Sequence, residues 1–91
     1  MGRTKWCKVR VLKNGREDWP YKYAKVSGEV SGFWGGFTPE VETDERGIAK
    51  IEWELGDHLD KIYVGGGLFQ ASKEFKGPFE EGETYEITYK V

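Results

Sequence analysis

Apolar side chains in this chain recur at every second residue, segment after segment, and that spacing admits strands and little else. In "KWCKVRVLK" Cys7, Val9 and Val11 share one face. In "YKYAKVSGEV" Ala24, Val26 and Val30 lie opposite Lys25 and Glu29. "IAKIEWEL" sets Ala49, Ile51 and Trp53 against Lys50, Glu52 and Glu54, and "TYEITYKV" aligns Tyr85, Ile87, Tyr89 and Val91. Successive residues of a strand point to opposite sides of a sheet, so a sheet buried on one face demands this period. No segment keeps helical spacing over three turns, and residues 54–61 have room for one helical turn at most.

Turn residues punctuate the strands. Asn14–Gly15 is a strong hairpin signal. "DERG" predicts a tight turn with Gly47 at a position that needs positive φ. "GDHLD" and "KGPFEEGE" read as connections, and Gly65 to Gly67 as a sharp bend. Between them lie "PEVET", which Pro39 can begin, "KIYVGGG" and the weaker "LFQASKEF". About seven short strands, with a turn about every 8 to 12 residues, predict an all-β, antiparallel β-sandwich. At 91 residues the chain has material for one core, so residues 1–91 form a single domain.

Charge and cysteine content narrow the functions. A net charge of -2, with both signs interspersed, lacks the basic stripe of a nucleic-acid binder and the polybasic patch of a membrane-surface protein. No apolar run is long enough to insert across a bilayer. The single cysteine, Cys7, can form no internal disulfide, and its inward register predicts a buried thiol. The reading implies no cofactor and no metal site. Asp57 and Asp60 stand near one another, but without the spacing of a calcium loop. The amino terminus lacks a signal-peptide core. A complete chain of this kind is expected in the cytoplasm, and an excised module outside it.

The segments "AKVSGEV", "TPEVETDERGIAKIEWE" and "DKIYVGG" resemble the transthyretin-like, or prealbumin-like, sandwich of carboxypeptidase regulatory domains and related bacterial immunoglobulin-like modules. The matching positions are Ala24 and Val26, then Thr43, Asp44, Gly47 and Ala49. The likeness extends over most of the chain. It implies a prealbumin-like scaffold with an accessory role: stabilising a neighbouring domain, mediating adhesion, or binding a protein or carbohydrate. A scaffold does not specify an activity. The related hydroxyisourate hydrolases use several histidines, an arginine and a "YRGS" tail. This chain ends "ITYKV" and has one histidine, His58, so that activity is not implied.

Aromatic residues carry the remaining signal: four Trp, five Tyr and five Phe. Trp53 falls in the inward register, Trp6 faces away from Cys7, and Trp19 sits in a loop before Pro20. Phe33, Trp34 and Phe37 lie in the glycine-rich loop "SGFWGGFT". If strands alternate in direction, the loops sort by parity. One end collects residues 14–20, 44–47 and 65–67. The other collects "SGFWGGFT", "GDHLD" and "KGPFEEG", which brings Phe33, Trp34 and Phe37 toward His58 and Phe79, rimmed by Asp57, Asp60, Glu80 and Glu81.

Two arrangements are open. The rings can fold inward and plug the sandwich, which a small domain favours because it needs every apolar contact. Alternatively they stand outward and bind, which suits a loop of about eight residues where a plain connection takes about 2 to 5. The first functional expectation is a non-enzymatic module that binds a protein partner, or joins a larger assembly, through an aromatic loop end with Phe33, Trp34, Phe37, His58, Phe79 and Trp19 or through an exposed strand edge. The alternative is a carbohydrate-binding module that stacks a sugar on an exposed Trp. A small hydrolase using His58 is a third reading, but Ser27, Ser31 and Ser72 fall in no nucleophile-elbow pattern. The charged residues of the last strand protect an edge and point to a monomer.

Overall fold

A computed structural model describes residues 4–65 and 72–91. Its strands are β1 (Thr4–Lys13), β2 (Lys25–Gly32), β3 (Gly36–Phe37), β4 (Val41–Glu42), β5 (Ile48–Glu54), β6 (Asp57–Gly65), β7 (Lys73–Phe79) and β8 (Thr84–Tyr89). One sheet has the order β5-β1-β8. The other has the order β3-β2-β6-β7, with β4 also paired to β2. Cys7, Val9, Val11, Ala49, Ile51, Trp53 and Ile87 of the first sheet meet Val26, Val30, Leu59, Ile62 and Val64 of the second in a single core. The all-β, two-sheet expectation agrees with this arrangement. Cys7 is fully buried, and burial pushes its thiol up to about 11, which leaves little thiolate near neutral pH.

Three details correct the sequence reading. The first concerns strand number, which is eight among the described residues. The expected strand "PEVET" shrinks to Val41–Glu42, and a further two-residue strand forms inside the glycine-rich loop. Pro39 has no N–H to donate, and the ladder along β2 is interrupted between β3 and β4. Two threonines repair the interruption in the same way. Thr38 donates its backbone N–H to the Gly28 carbonyl and accepts the Gly28 N–H on its hydroxyl, at 2.9 and 2.8 Å. Thr43 does the same with Ala24, again at 2.9 and 2.8 Å. Both are buried.

The second correction concerns direction. β1 and β8 pair in parallel, from Lys8 opposite Thr84 to Lys13 opposite Tyr89, so the sandwich is not wholly antiparallel. The expected up-and-down alternation gives the first and last strands the same direction. Placing them side by side makes their ladder parallel.

The third correction concerns "GDHLD". Asp57 to Asp60 belong to β6, and only Leu55 and Gly56 form the turn. The register slips at Asp60 against both neighbours: Leu59 pairs with Val30 and Phe79, Lys61 with Glu29 and Lys76. This bulge shifts the alternation by one residue. Asp57 and Leu59 point inward before it, and Ile62 and Val64 after it. "GPF", read as loop, likewise ends β7. The expected bend at Gly65 to Gly67 and the start of "LFQASKEF" lie largely outside the described residues.

The turn chemistry of "TDERG" matches expectation. The Asp44 carboxylate accepts from the Arg46 and Ile48 amides at 2.8 and 2.9 Å, and these bonds hold it below the usual carboxylate range. Gly47 has φ +79°, and a Cβ there would lie 2.5 Å from the Val11 carbonyl oxygen. Gly47→Ala therefore meets both backbone strain and a backbone collision. It is expected to lower stability by about 2–3 kcal/mol, read as a shift in urea midpoint with unchanged slope.

Candidate functional site

The described loops gather at two ends as alternating strand direction predicts; the expected place of residues 65–67 lies largely outside the described residues. At one end, Val11 donates to the Gly47 carbonyl at 2.8 Å and Lys13 to the Trp19 carbonyl at 2.9 Å, which gathers the residue 14–20 and 44–47 turns. At the other end, Phe33 donates to the Gly56 carbonyl at 3.1 Å, and Gly82 donates to the Trp6 carbonyl at 2.7 Å.

The rings of the glycine-rich loop do not plug the core. Phe33 is 77% exposed, and Trp34 and Phe37 are each 71% exposed. The inward arrangement, though favoured by the need of a small domain for apolar contacts, is the one the structure rejects. The end of the core is closed instead by Trp53, which is 5% exposed. The first two loop rings form an edge-to-face pair with centroids 4.9 Å apart. Phe37 lies apart from them, 6.4 Å from Tyr63. Beside it on the same sheet, Lys61 holds Glu29 and Glu74 in ion pairs of 3.7 and 3.1 Å.

Exposed rings on a glycine-rich backbone need something to fix them, and Asp57 supplies it. Its side chain is buried beneath the loop. One carboxylate oxygen accepts the Trp34 N–H at 2.8 Å, and the Gly35 N–H lies 3.2–3.3 Å from both oxygens. The Asp57 carbonyl accepts from Trp53 Nε1 at 3.2 Å and Lys5 Nζ at 3.3 Å. One residue thus joins the loop, β6 and the far sheet. Gly32 permits the close approach: its φ is +135°, and a Cβ would lie 2.6 Å from the Gly56 carbonyl oxygen.

Two hollows flank the Trp53–Asp57 pair. A groove of about 280 Å³ runs between β5 and the loop, with Trp34, Phe37 and Thr38 on one bank and Glu52 and Glu54 on the other. A hollow of about 250 Å³ on the opposite side is lined by His58, Phe79, Glu80 and Glu81 with Lys5 and Pro78. The six aromatic and histidine positions expected at the site are therefore not one cluster. Phe33, Trp34 and Phe37 share the loop. His58 is exposed in the second hollow, where Phe79 is largely buried and packs edge-to-face on Tyr85 at 5.1 Å. Trp19 sits at the opposite end of the molecule, 5.3 Å from Lys13 Nζ. Asp57, expected on the rim, is the buried anchor.

Sequence reasoning missed that anchoring role and the part of Glu52 and Glu54 in a groove wall. The two glutamates were visible only as the polar side of a strand, and Asp57 as one more turn residue. Among the described residues no three acidic, histidine or cysteine side chains gather to hold a metal ion. Both Asp57 oxygens are occupied by backbone N–H groups. Comparison with protein-family models, with curated proteins and with solved structures finds no match.

Proposed function

We propose that this domain is a non-enzymatic interaction module that binds a protein partner through its aromatic loop end. One observation carries the reading: three large apolar rings face solvent on a backbone pinned by a buried carboxylate. Exposed rings are costly unless something covers them, and a fixed backbone lowers the ordering entropy of binding. Aromatic anchors ringed by polar groups are the usual centres of binding energy in interfaces. The transthyretin-like reading fits such an accessory role. It draws on the likeness of three segments, and the turn chemistry of one of them, with Asp44 accepting within the turn and Gly47 at positive φ, supports it. The domain acts as a monomer in this reading.

A second reading has its own support. Trp34 and Phe37 line one groove opposite two carboxylates, an arrangement that offers stacking faces and hydrogen-bond acceptors to a sugar.

The test pairs wild type with a Trp34→Ala/Phe37→Ala double variant. Affinity capture from the source cells is expected to recover a partner with wild type and to lose it at least tenfold with the variant. Thermal unfolding of the variant should stay within about 1 kcal/mol of wild type, as for exposed substitutions. Equal capture by both proteins contradicts the protein-binding reading. Quenching of tryptophan emission by an oligosaccharide, absent in the variant, favours the sugar reading instead.

A further inference from the structure

Among the described residues β5 is an edge strand: it pairs with β1 on one side and with no described strand on the other. The ladder tells which backbone groups are left open. Val11 directs its N–H toward Gly47, on the β5 side, so Val9, Cys7 and Lys5 do likewise at two-residue intervals. Their partners Ala49, Ile51 and Trp53 are turned toward β1. The N–H and C=O groups of Lys50, Glu52 and Glu54 therefore point away from the sheet. This open edge borders the groove whose other bank carries Trp34 and Phe37.

Natural sheets protect an edge with charged side chains, lysine above all, with proline or with inward-pointing charge, and a charged edge of one sign repels like strands while it admits a strand of opposite charge. Along the half of β5 beside the groove, the outward residues are two glutamates. Glu52 meets the Thr4 hydroxyl at 3.5 Å and Lys50 at a loose 3.9 Å. Glu54 makes no ion pair among the described residues. A row of backbone donors and acceptors, two under-used carboxylates on one side and an aromatic groove on the other together define a complementary strand.

We propose that β5 accepts an extended peptide segment as an added strand. Residues of that segment alternate between lysine or arginine, which face Glu52 and Glu54, and apolar side chains, which enter the groove against Trp34 and Phe37. This rests on the protein-binding reading above and specifies the partner. Backbone pairing supplies affinity, and the alternating side chains supply selection. Directly opposed unlike charges on neighbouring strands stabilise the pair, and like charges oppose it. An acidic segment is thereby rejected.

The probe is a blocked heptapeptide of alternating lysine and valine, titrated at low ionic strength into ¹⁵N-labelled protein. The amides of Lys50, Glu52, Glu54 and Trp34 are expected to shift. The Glu52→Gln/Glu54→Gln variant should bind this peptide about fourfold to twenty-fivefold more weakly, at about twofold to fivefold per carboxylate. Methylation of alternate peptide nitrogens should abolish the shifts along β5, because an added strand needs those donors. Equal binding of a glutamate–valine heptapeptide overturns the proposal, as does the absence of shifts between residues 50 and 54. Retention of natural-partner capture by the glutamine variant, with its loss in the Trp34/Phe37 variant, also overturns it while leaving the protein-binding reading intact.

Discussion

Trp53→Ala will lower the free energy of unfolding by about 3–5 kcal/mol, the usual cost of removing a buried aromatic, whereas Trp34→Ala will change it by less than about 1 kcal/mol. The two tryptophans are neighbours at one end of the sandwich, yet their positions are opposite in kind. Trp53 is 5% exposed, packs in the core and donates its indole N–H to the Asp57 carbonyl at 3.2 Å. Truncation leaves a cavity in a core too small to close over it, and removes a donor from the backbone of the anchor residue. Trp34 is largely solvated and pairs edge-to-face with Phe33. Paired chemical denaturation of the two variants measures the contrast. A large loss at Trp34 would mean that its ring closes the core after all.

Asp57→Ala is expected to cost about 3–6 kcal/mol, since hydrogen bonds to a charged group contribute about 1.5–3 kcal/mol each and the partly buried Trp34 and Gly35 amides lose them together. Asp57→Asn should cost less. The amide oxygen can still accept from Trp34, but its NH₂ group would confront the Gly35 N–H, two donors facing one another. Both variants should release the loop. Hydrogen exchange at the Trp34 and Gly35 amides is then expected to accelerate much more than exchange at Val9 or Ile51 in the core. Partner binding should weaken further than stability alone explains, because a mobile loop must be ordered at the moment of association. Unchanged exchange at Trp34 and Gly35 would show that the carboxylate does not hold the loop.

The scaffold was legible in the sequence wherever period two ran unbroken. Cys7, Val9 and Val11 on β1, and Ala49, Ile51 and Trp53 on β5, occupy the core that their spacing predicted. So do the local devices that need only a few consecutive residues: Asp44 accepting within its turn, and Gly47 at positive φ. What failed was reading through a bulge. The extra residue at Asp60 puts Asp57 and Leu59 out of step with Ile62 and Val64, so an inward-facing half-strand looked like a polar turn. Misplacing those residues hid the site, because the anchor of the aromatic loop lies on that half-strand.

The outward pose of the rings was not legible for a different reason. Spacing says which residues share a face, but a loop of glycines has no face. The decision rests on a contact between Asp57 and the Trp34 and Gly35 amides, more than twenty residues apart in the chain. Phe79 shows the converse. Its alternating place at the end of β7 turns it inward onto Tyr85, and the breakers around it masked that strand.

Trp34 stands in solvent on a fixed backbone. Uniform labelling with 5-fluorotryptophan tests it in one spectrum, with a soluble nitroxide as relaxation agent and each of the four indoles assigned by substitution. The Trp34 resonance is expected to be broadened most strongly, Trp6 and Trp19 to an intermediate degree, and Trp53 least. A Trp34 signal as protected as that of Trp53 would contradict the account.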